Sequence, residues 1–342
     1  MSSTHSARRL TAKFTFINDL ITMSQPEKEA VARGVEFVTI DLDSSGQRLD
    51  NFLLRRFSNV PKSRIYRAVR GGEVRINKGR VAAKYKLCEG DLLRIPPLKV
   101  QVEEPPKRVA NHWLTLIEQS VIFEDDDLLI LNKPTGLAVH GGSGLNYGLI
   151  EVLRQLRPEA KRLELVHRLD RDTSGCIMIA KKSAALRHLH AALRERKITK
   201  RYQALVYGKW PRNRRQVDAP LKKFALGSGE RIVRVNEEGQ GSITEFSVLE
   251  RFQNATLVEA RPLTGRTHQI RVHASHIGHC LLGDDKYAHT EANALAAQLN
   301  LGRLFLHAES LEFMAPSGRR VKVAAPLDDA LKRVLDLCGE RA

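Results

Sequence analysis

A proline-rich stretch about a third of the way along the chain limits the folds that this sequence can adopt. Residues 96–112, "PPLKVQVEEPPKRVANH", hold four prolines and mixed charge without apolar periodicity. Proline lacks the backbone N–H and disfavours helix at the residue before it, so no long helix or central strand is expected here. The sequence therefore predicts a small unit and a large unit joined by a linker. The predicted boundaries are a disordered extension at 1–35, a small domain at 36–98, a linker at 99–119 and a large domain at 120–338.

The small domain has the pattern of two short helices followed by strands. Apolar residues recur at helical spacing over 49–57, and a second helix is predicted between Pro61 and the glycine pair at 71–72. Alternating residues with a turn at Asn77–Gly79 indicate strands after it. Residues 46–98 hold 13 Lys and Arg against 4 Asp and Glu. Much of the positive charge of the chain is therefore concentrated in this short segment.

The charge balance of the whole chain indicates an anionic partner. Lys and Arg number 56 against 39 Asp and Glu, a formal net charge of +17, and such an excess repels itself unless a partner neutralises it. Nucleic acid is the first candidate and an anionic membrane the second, but no apolar run approaches the roughly 18 residues that span a membrane. Convergent basic side chains on two helices can hold phosphates, although a solvated charged face is the usual alternative. The candidate phosphate ligands are Arg55, Arg56, Lys62, Arg64, Arg67 and Arg70.

The large domain has runs of strands interrupted by single helices. This order favours an α+β fold around a mixed, largely antiparallel sheet. The four cysteines lie far apart and form no C-x-x-C pair, which favours a reducing cytoplasm.

One segment of the large domain, "LVHRLDRDTSG" at 165–175, combines carboxylates with positive charge. An arginine close to a carboxylate favours its ionised form, as a nucleophile or a general base requires. Asp170, between Arg168 and Arg171, would then be a working carboxylate on a loop that leads into a buried strand. A structural salt bridge is the alternative from spacing alone. A metal site formed by His167, Asp170 and Asp172 is a third possibility.

Three other segments carry candidate groups. "GRTHQIRVHASHIGH" at 265–279 contains Arg266 and Arg271, either of which would hold Asp170 ionised if the segments meet. Its histidines lack the H-E-x-x-H pattern of a zinc helix. "LNKPTGLAVHGGSG" at 131–144 offers Lys133 in a glycine-rich loop, without the sequence of a nucleotide-binding P-loop. Tyr202 in "KRYQALV" lies on a predicted strand, where a tyrosine is more often part of the core.

Four motifs together resemble the RluA-type family of pseudouridine synthases. They are "NKPTGLAVH", "HRLDRDTSG", "KRYQALV" and "GRTHQIRVH", in the order in which the family has them. Residues 46–98 resemble the S4-like RNA-binding domain, with "PKSRIYR" and "EVRINK" as the most similar stretches. The resemblance implies the pseudouridine synthase fold for the large domain.

The resemblance also implies a reaction and roles for individual residues. Uridines of 23S ribosomal RNA, free or in an assembling large subunit, would be isomerised to pseudouridine without cofactor or metal. Asp170 would be the nucleophile, attacking the ribose or the uracil, or would stabilise a glycal-type intermediate. Tyr202 would stack on the uracil and act as a base, and Arg271 would pair with Asp170. The remaining implied substrate contacts are Arg168, which fills the gap of the flipped base, Arg266, Lys133 and His167, the last of which would serve for orientation only.

Three alternatives remain at this point. A non-catalytic RNA-binding or ribosome assembly factor would keep the fold without the reaction. An RNA methyltransferase would need a methyl-donor loop, which the sequence does not contain. A metal nuclease would use His167, Asp170 and Asp172 and would be inhibited by a chelator. A cytoplasmic monomer without membrane or metal is expected.

Overall fold

The chain divides into two compact units. The computed structural model describes residues 31–32, 34–57, 60–100, 109–141, 147–160, 162–213, 215–225, 227 and 231–340. The first unit runs from Met1 to Glu104 and the second from Pro105 to Ala342, so the division falls within the segment that was expected to be a linker.

The small unit consists of two helices packed on one face of a sheet. Its elements are β1 (Val31–Ala32), β2 (Glu36–Thr39), α1 (Leu49–Arg56), α2 (Lys62–Arg70), β3 (Arg75–Ile76), β4 (Gly79–Arg80), β5 (Leu92–Ile95) and β6 (Lys99–Val100). The four-stranded sheet has the order β2-β5-β3-β4, and β1 pairs with β6. Leu53 of α1, Ile65 of α2 and Leu93 of β5 lie in one apolar core. The two predicted helices and the turn before Gly79 are present, and Asn77 and Lys78 adopt the positive φ of such a tight turn.

Two predicted irregular segments contain secondary structure. Val31–Ala32 pairs with Lys99–Val100, although the first pair was assigned to a disordered extension and the second to the linker. Strands of two residues carry too little periodicity to be recognised. The rest of the expected extension, except residues 34–35, lies outside the described residues. Asn111–Gln119 forms a helix (α3) because Trp113, Leu114 and Ile117 face the core of the large unit.

The large unit is built on a ten-stranded main sheet, a separate two-stranded sheet (Leu221–Ala225 with Arg231–Val235) and helices. Its further elements are β7 (Val121–Glu124), β8 (Leu128–Lys133), α4 (Leu149–Leu156), β9 (Glu164–Leu165), β10 (Ser174–Ala180), α5 (Ser183–Arg194), β11 (Thr199–Tyr207), β12 (Gln216–Asp218), β13 (Leu221–Ala225), β14 (Arg231–Val235), β15 (Ile243–Arg251), β16 (Ala255–Pro262), α6 (Gln269–His276), α7 (Thr290–Gln298), β17 (Leu306–Met314), β18 (Arg320–Ala324) and α8 (Asp329–Glu340).

The main sheet has ten strands and is largely antiparallel, which confirms the predicted α+β class. Its central path runs β12-β15-β16-β11-β17-β10-β8-β7, with β18 beside β17 and β9 beside β10. Strands β10 and β17 pair in parallel. Every residue of β10 is buried, as expected for a strand covered on both faces. Each helix that the structure describes is too short or too polar to cross a membrane.

Candidate active site

A cleft of about 390 Å³ opens between several segments of the large unit. These are the loop before β10, the end of α5 and the turn after it, strand β11, the end of β16 with the loop that follows it, the start of α6 and the start of β17. Asp170 is the single carboxylate among the described residues that line this cleft. The basic residues that line it are Arg168, Arg194, Arg196, Lys200, Arg261, Arg266 and Arg271. The cleft therefore suits an anionic ligand and offers one acidic group to it.

The loop that carries Asp170 is fixed by backbone contacts. Gly136 N–H donates to the Arg171 carbonyl at 2.9 Å, and the Thr135 hydroxyl donates to the Asp172 carbonyl at 2.9 Å. Beyond the loop, Gly175 has φ +106°, and a Cβ there would lie 2.3 Å from the Ala308 carbonyl oxygen of β17. Only glycine allows this close parallel approach of β10 and β17. The "TSG" sequence thus holds the position of Asp170 just before the start of β10.

Lys133, at the end of β8, holds the same loop through its ammonium group. Its Nζ donates to the carbonyl oxygens of Pro134 at 2.8 Å, Leu137 at 2.9 Å and Arg171 at 3.1 Å, and its side chain is fully buried. Burial lowers the pKa of Lys133 to about 7, but three accepting carbonyls use all three N–H bonds of the ammonium form. The expected substrate contact does not fit this position, because Lys133 has no free donor and lies outside the cleft lining.

Arg271 lies among the carboxylates of Asp170, Asp284 and Asp285. Its Nε donates to Asp284 Oδ2 at 2.7 Å and its Nη2 to Asp284 Oδ1 at 2.5 Å, whereas Nη1 lies 3.9 Å from Asp170 Oδ2. Burial opposes the charged guanidinium, but the hydrogen bonds and charge of Asp284, together with the charge of Asp170, raise the pKa of Arg271. The bidentate pair fixes the plane of the guanidinium, so its remaining edge faces Asp170.

His268 is the second group beside Asp170. Its Nε2 lies 3.8 Å from Asp170 Oδ2, and its Nδ1 lies 2.7 Å from the Tyr287 hydroxyl. Burial lowers the pKa of His268, although the charge of Asp170 opposes this. His268 precedes α6 with φ 54°, a left-handed conformation that a residue other than glycine adopts at a cost. The turn into α6 thereby directs the imidazole towards the carboxylate.

Tyr202 forms a wall of the cleft from β11. It is 9% exposed, and the pairing of β11 with β17 shifts register between Arg201 and Gln203, at the position of Tyr202. Burial, and secondarily the charge of Asp170, raises the pKa of Tyr202. Its phenol is therefore protonated at neutral pH and presents a ring and a hydroxyl to a bound ligand.

Lys200 was not among the predicted site residues, although it belongs to the same "KRYQALV" motif. It stands two residues before Tyr202 on β11, lines the cleft, and its ammonium lies beside Gly265. Burial lowers the pKa of Lys200, and no acceptor among the described residues takes a hydrogen bond from it. Side chains alternate along a strand, so residues 200 and 202 lie on one face. This alternation could have predicted Lys200 as a site residue beside Tyr202.

The remaining predicted substrate contacts differ in their positions. Arg168 is exposed at the cleft, and Arg266 is exposed on the loop before α6. His167 lines the cleft, but its Nε2 accepts the Met178 N–H at 3.1 Å. Burial, with the charge of Lys200, lowers the pKa of His167 to about 3. His167 is thus a neutral acceptor that orients the loop against β10.

Among the six predicted phosphate ligands of the small unit, Arg56 and Arg64 form ion pairs with carboxylates of that unit. Arg64 forms a bidentate pair with Glu73 at 2.8 and 3.0 Å, and Arg56 pairs with Glu36. These two are already neutralised by carboxylates of the same unit. Arg55, Lys62, Arg67 and Arg70 are exposed.

The metal reading of the Asp170 loop finds no support in the geometry. The described residues contain no group of three or more His, Cys, Asp or Glu that could hold a metal ion. Asp172 instead pairs with the neighbouring Arg171, whose Nε lies 3.0 Å from its Oδ1.

Known proteins similar to this chain carry a consistent description. Residues 127–276 match the family model for RNA pseudouridylate synthase, and residues 47–93 match that for the S4 domain. The "Ribosomal large subunit pseudouridine synthase C" of Pasteurella multocida (strain Pm70) is 51% identical over 322 residues, which cover 93% of this chain and 99% of that protein. The protein of the same description from Escherichia coli O157:H7 is 52% identical, covering 88% and 96%. Among solved structures, "Human RNA Pseudouridylate Synthase Domain Containing 4" matches with a TM-score of 0.56 and 26% identity, covering 66% of this chain and 95% of that one.

Proposed function

The chain belongs to the family of RNA pseudouridylate synthases, and from this premise we propose that it isomerises uridines of 23S ribosomal RNA to pseudouridine in the cytoplasm, acting as a monomer. The descriptions of its relatives name the large ribosomal subunit, and the S4 domain match agrees with an RNA substrate. The observation that carries the proposal is the single carboxylate, Asp170, in a cleft lined by basic residues, with Arg271 3.9 Å away.

The substrate of this reaction has to leave its stack before the chemistry can begin. The base of a stacked uridine is out of reach, and flipping it out costs a few kcal/mol. Arg168 is exposed at the mouth of the cleft, where its side chain can occupy the vacated space. The volume of about 390 Å³ falls within the range of small-molecule sites and can hold one nucleoside. Tyr202 provides the aromatic wall on which the uracil stacks.

Asp170 then serves as the nucleophile. Its carboxylate oxygen bonds either to ribose carbon one, as the bond from that carbon to uracil N1 breaks, or to uracil carbon six before that bond breaks. After the uracil turns, ribose carbon one bonds to uracil carbon five, and the bond to Asp170 breaks. The proton of carbon five is lost, and N1 takes up a proton, so no oxidant, reductant or energy source is required. The guanidinium of Arg271 stabilises the negative charge of the carboxylate both before attack and on its release. Tyr202, which lines the same cleft, is the proposed relay for the proton of carbon five: its oxygen accepts that proton while its own hydroxyl proton passes to solvent.

The test follows tritium from 23S RNA that is transcribed with uridine labelled at carbon five. We expect the wild-type protein to release tritium in the presence of a chelator, and Asp170→Asn to release none while RNA affinity stays within about twofold. Asp172→Asn is the matched control, because it removes a carboxylate from the same loop without touching the cleft lining. It should retain turnover.

Each alternative gives a different result in the same assay. Turnover by Asp170→Asn above a few per cent of wild type would reject Asp170 as the nucleophile. No release by the wild type from either naked RNA or precursor subunits, with tight binding retained, would favour a binding or assembly factor. Loss of release on addition of chelator would favour metal chemistry.

A further inference from the structure

One cross-strand row of the small unit combines an aromatic ring with three arginines. In the sheet order β2-β5-β3-β4, Phe37 pairs with Arg94, Arg94 with Arg75, and Arg75 with Arg80. Directly paired residues of antiparallel strands have their side chains on the same face. Three strand spacings of about 4.8 Å place the two ends of the row about 14 Å apart.

This row lies on the face of the sheet that does not form the core. On the opposite face, Leu93 and Ile76 are at most 4% exposed and pack with α1 and α2. Phe37 is 61% exposed, and Val35 and Leu92 beside it are 45% and 42% exposed. Burying a phenylalanine normally stabilises a fold, so an exposed ring next to further apolar groups indicates a contact surface.

The arginines of the row repel one another, although the charge of Arg94 also acts on Glu73, a carboxylate that is already paired with Arg64. Like charges directly opposite each other on a sheet are destabilising. Among the described residues, no carboxylate forms an ion pair with Arg75, Arg80 or Arg94, in contrast to Arg56 and Arg64 on the helices. An anionic ligand on this face would remove that repulsion.

Backbone carbonyls hold two of these side chains in place. Arg94 Nη1 donates to the Glu73 carbonyl at 2.7 Å, and Arg75 Nε donates to the Gly72 carbonyl at 3.2 Å. A guanidinium has five N–H donors, so most of them remain available. The groups are therefore oriented in advance, which reduces the entropy that binding would cost.

We propose that this sheet face, formed by Phe37, Arg94, Arg75 and Arg80, binds a single-stranded segment of the RNA substrate. One base stacks on Phe37, and the arginines contact the phosphates that follow it. The inference rests on the proposed function for the identity of the RNA. An exposed aromatic ring beside uncompensated positive charge is the combination by which proteins hold single strands. Duplex RNA offers no free base to the ring.

The test measures affinity of the full chain for a short unstructured RNA oligomer at several salt concentrations. Phe37→Leu removes the ring on which a base stacks, so it should weaken binding by about 5- to 100-fold. Phe37→Tyr keeps an aromatic ring and should bind as the wild type does. Arg75→Gln with Arg80→Gln should reduce the slope of log affinity against log salt by roughly 1.4, that is about 0.7 for each lost phosphate contact. Leu42→Ala, at an equally exposed apolar residue outside the row, and Lys84→Gln are the matched controls.

Tritium release separates this inference from the proposed function. If the wild type releases tritium and Phe37→Leu binds the oligomer as tightly as Phe37→Tyr, the sheet face is not the RNA site. The inference would also be overturned if Phe37→Leu weakened the affinity for duplex RNA as much as that for single-stranded RNA. The same holds if the variant weakened binding of an acidic peptide more than binding of the RNA oligomer. We expect Phe37→Leu to raise KM for 23S RNA and keep kcat within about twofold. Absence of release by the wild type would instead contradict the proposed function, whatever the oligomer shows.

Discussion

Arg271 and Asp284 form a bidentate ion pair in which the arginine is 3% exposed and the aspartate fully buried. This pair determines where the remaining Nη1 of Arg271 points, which is towards Asp170. Asp284 is therefore a positioning residue for the candidate nucleophile, although it does not line the cleft.

Asp284→Asn should reduce both turnover and stability. Loss of one partner from a buried ion pair costs about 3 kcal/mol of unfolding free energy. Because the guanidinium would be less firmly held, kcat should fall about 10- to 100-fold with RNA affinity unchanged. Single-turnover tritium release and urea unfolding would measure the two effects. Asp285→Asn is the control, since Asp285 contacts the same Nη2 at 3.1 Å but is 61% exposed, and it should change both quantities much less. Equal effects of the two variants would contradict the positioning role.

Tyr202→Phe separates the ring of Tyr202 from its hydroxyl. The ring remains available for stacking, so RNA affinity should stay within about threefold of wild type. Because proton transfer by a positioned side chain contributes about 10²- to 10⁴-fold, kcat should fall by at least about 100-fold. Tyr202→Leu should also weaken binding, because it removes the ring. A kcat for Tyr202→Phe close to that of the wild type would restrict Tyr202 to stacking.

Lys200→Gln tests the cleft lysine that the motif analysis left unassigned. Its half-buried ammonium has no acceptor among the described residues, so a phosphate of the flipped nucleotide is its expected partner. The variant should raise KM several-fold and reduce the salt slope of binding by roughly 0.7. Lys197→Gln removes an equal charge three residues earlier, where Lys197 is 71% exposed and paired with Glu195, and it should have no such effect. Identical salt slopes for both variants and the wild type would contradict a phosphate contact by Lys200.

The parts of the molecule that the sequence predicted are those specified locally. The helices α1 and α2 follow from apolar spacing, and the tight turn before Gly79 follows from its residue types. The position of Asp170 at the start of a buried strand was also predictable, because "TSG" and the apolar run after it are adjacent in sequence.

The contacts that complete the site depend on long-range pairing. Gly175 pairs with Ala308, which lies more than a hundred residues later in the sequence. No local sequence pattern predicts that two strands so far apart in the chain pair in parallel. Asp284 lies in a segment without regular periodicity, so its ion pair with Arg271 could not be predicted from the sequence. Lys133 was assigned to the substrate because it belongs to the "NKPTGLAVH" motif that resembles the family. Its burial under three carbonyls became evident only from the fold.

The role of His167 can be tested by the pH dependence of the unfolding free energy. Burial lowers the pKa of His167 to about 3, below the ordinary 6.5, so the unfolded chain binds a proton in this interval and the folded one does not. Stability should therefore be lost as pH falls through the interval. His167→Gln keeps a hydrogen-bond acceptor for the Met178 N–H but cannot take up the proton. Between pH 6 and 4, the unfolding free energy of the wild type should fall more steeply than that of the variant, by up to about 1.4 kcal/mol per pH unit.

Tryptophan fluorescence can follow the unfolding of the large unit alone in the wild type and in His167→Gln. Both tryptophans of the chain, Trp113 and Trp210, belong to that unit, so urea unfolding monitored by their emission does not report the small one. His276→Gln, at an exposed histidine of the same unit, is the control for the loss of a histidine as such. Parallel curves for the wild type and His167→Gln would mean that His167 is protonated in the folded protein. The neutral, loop-orienting role assigned to it beside Asp170 would then be wrong, because a protonated Nε2 cannot accept the Met178 N–H.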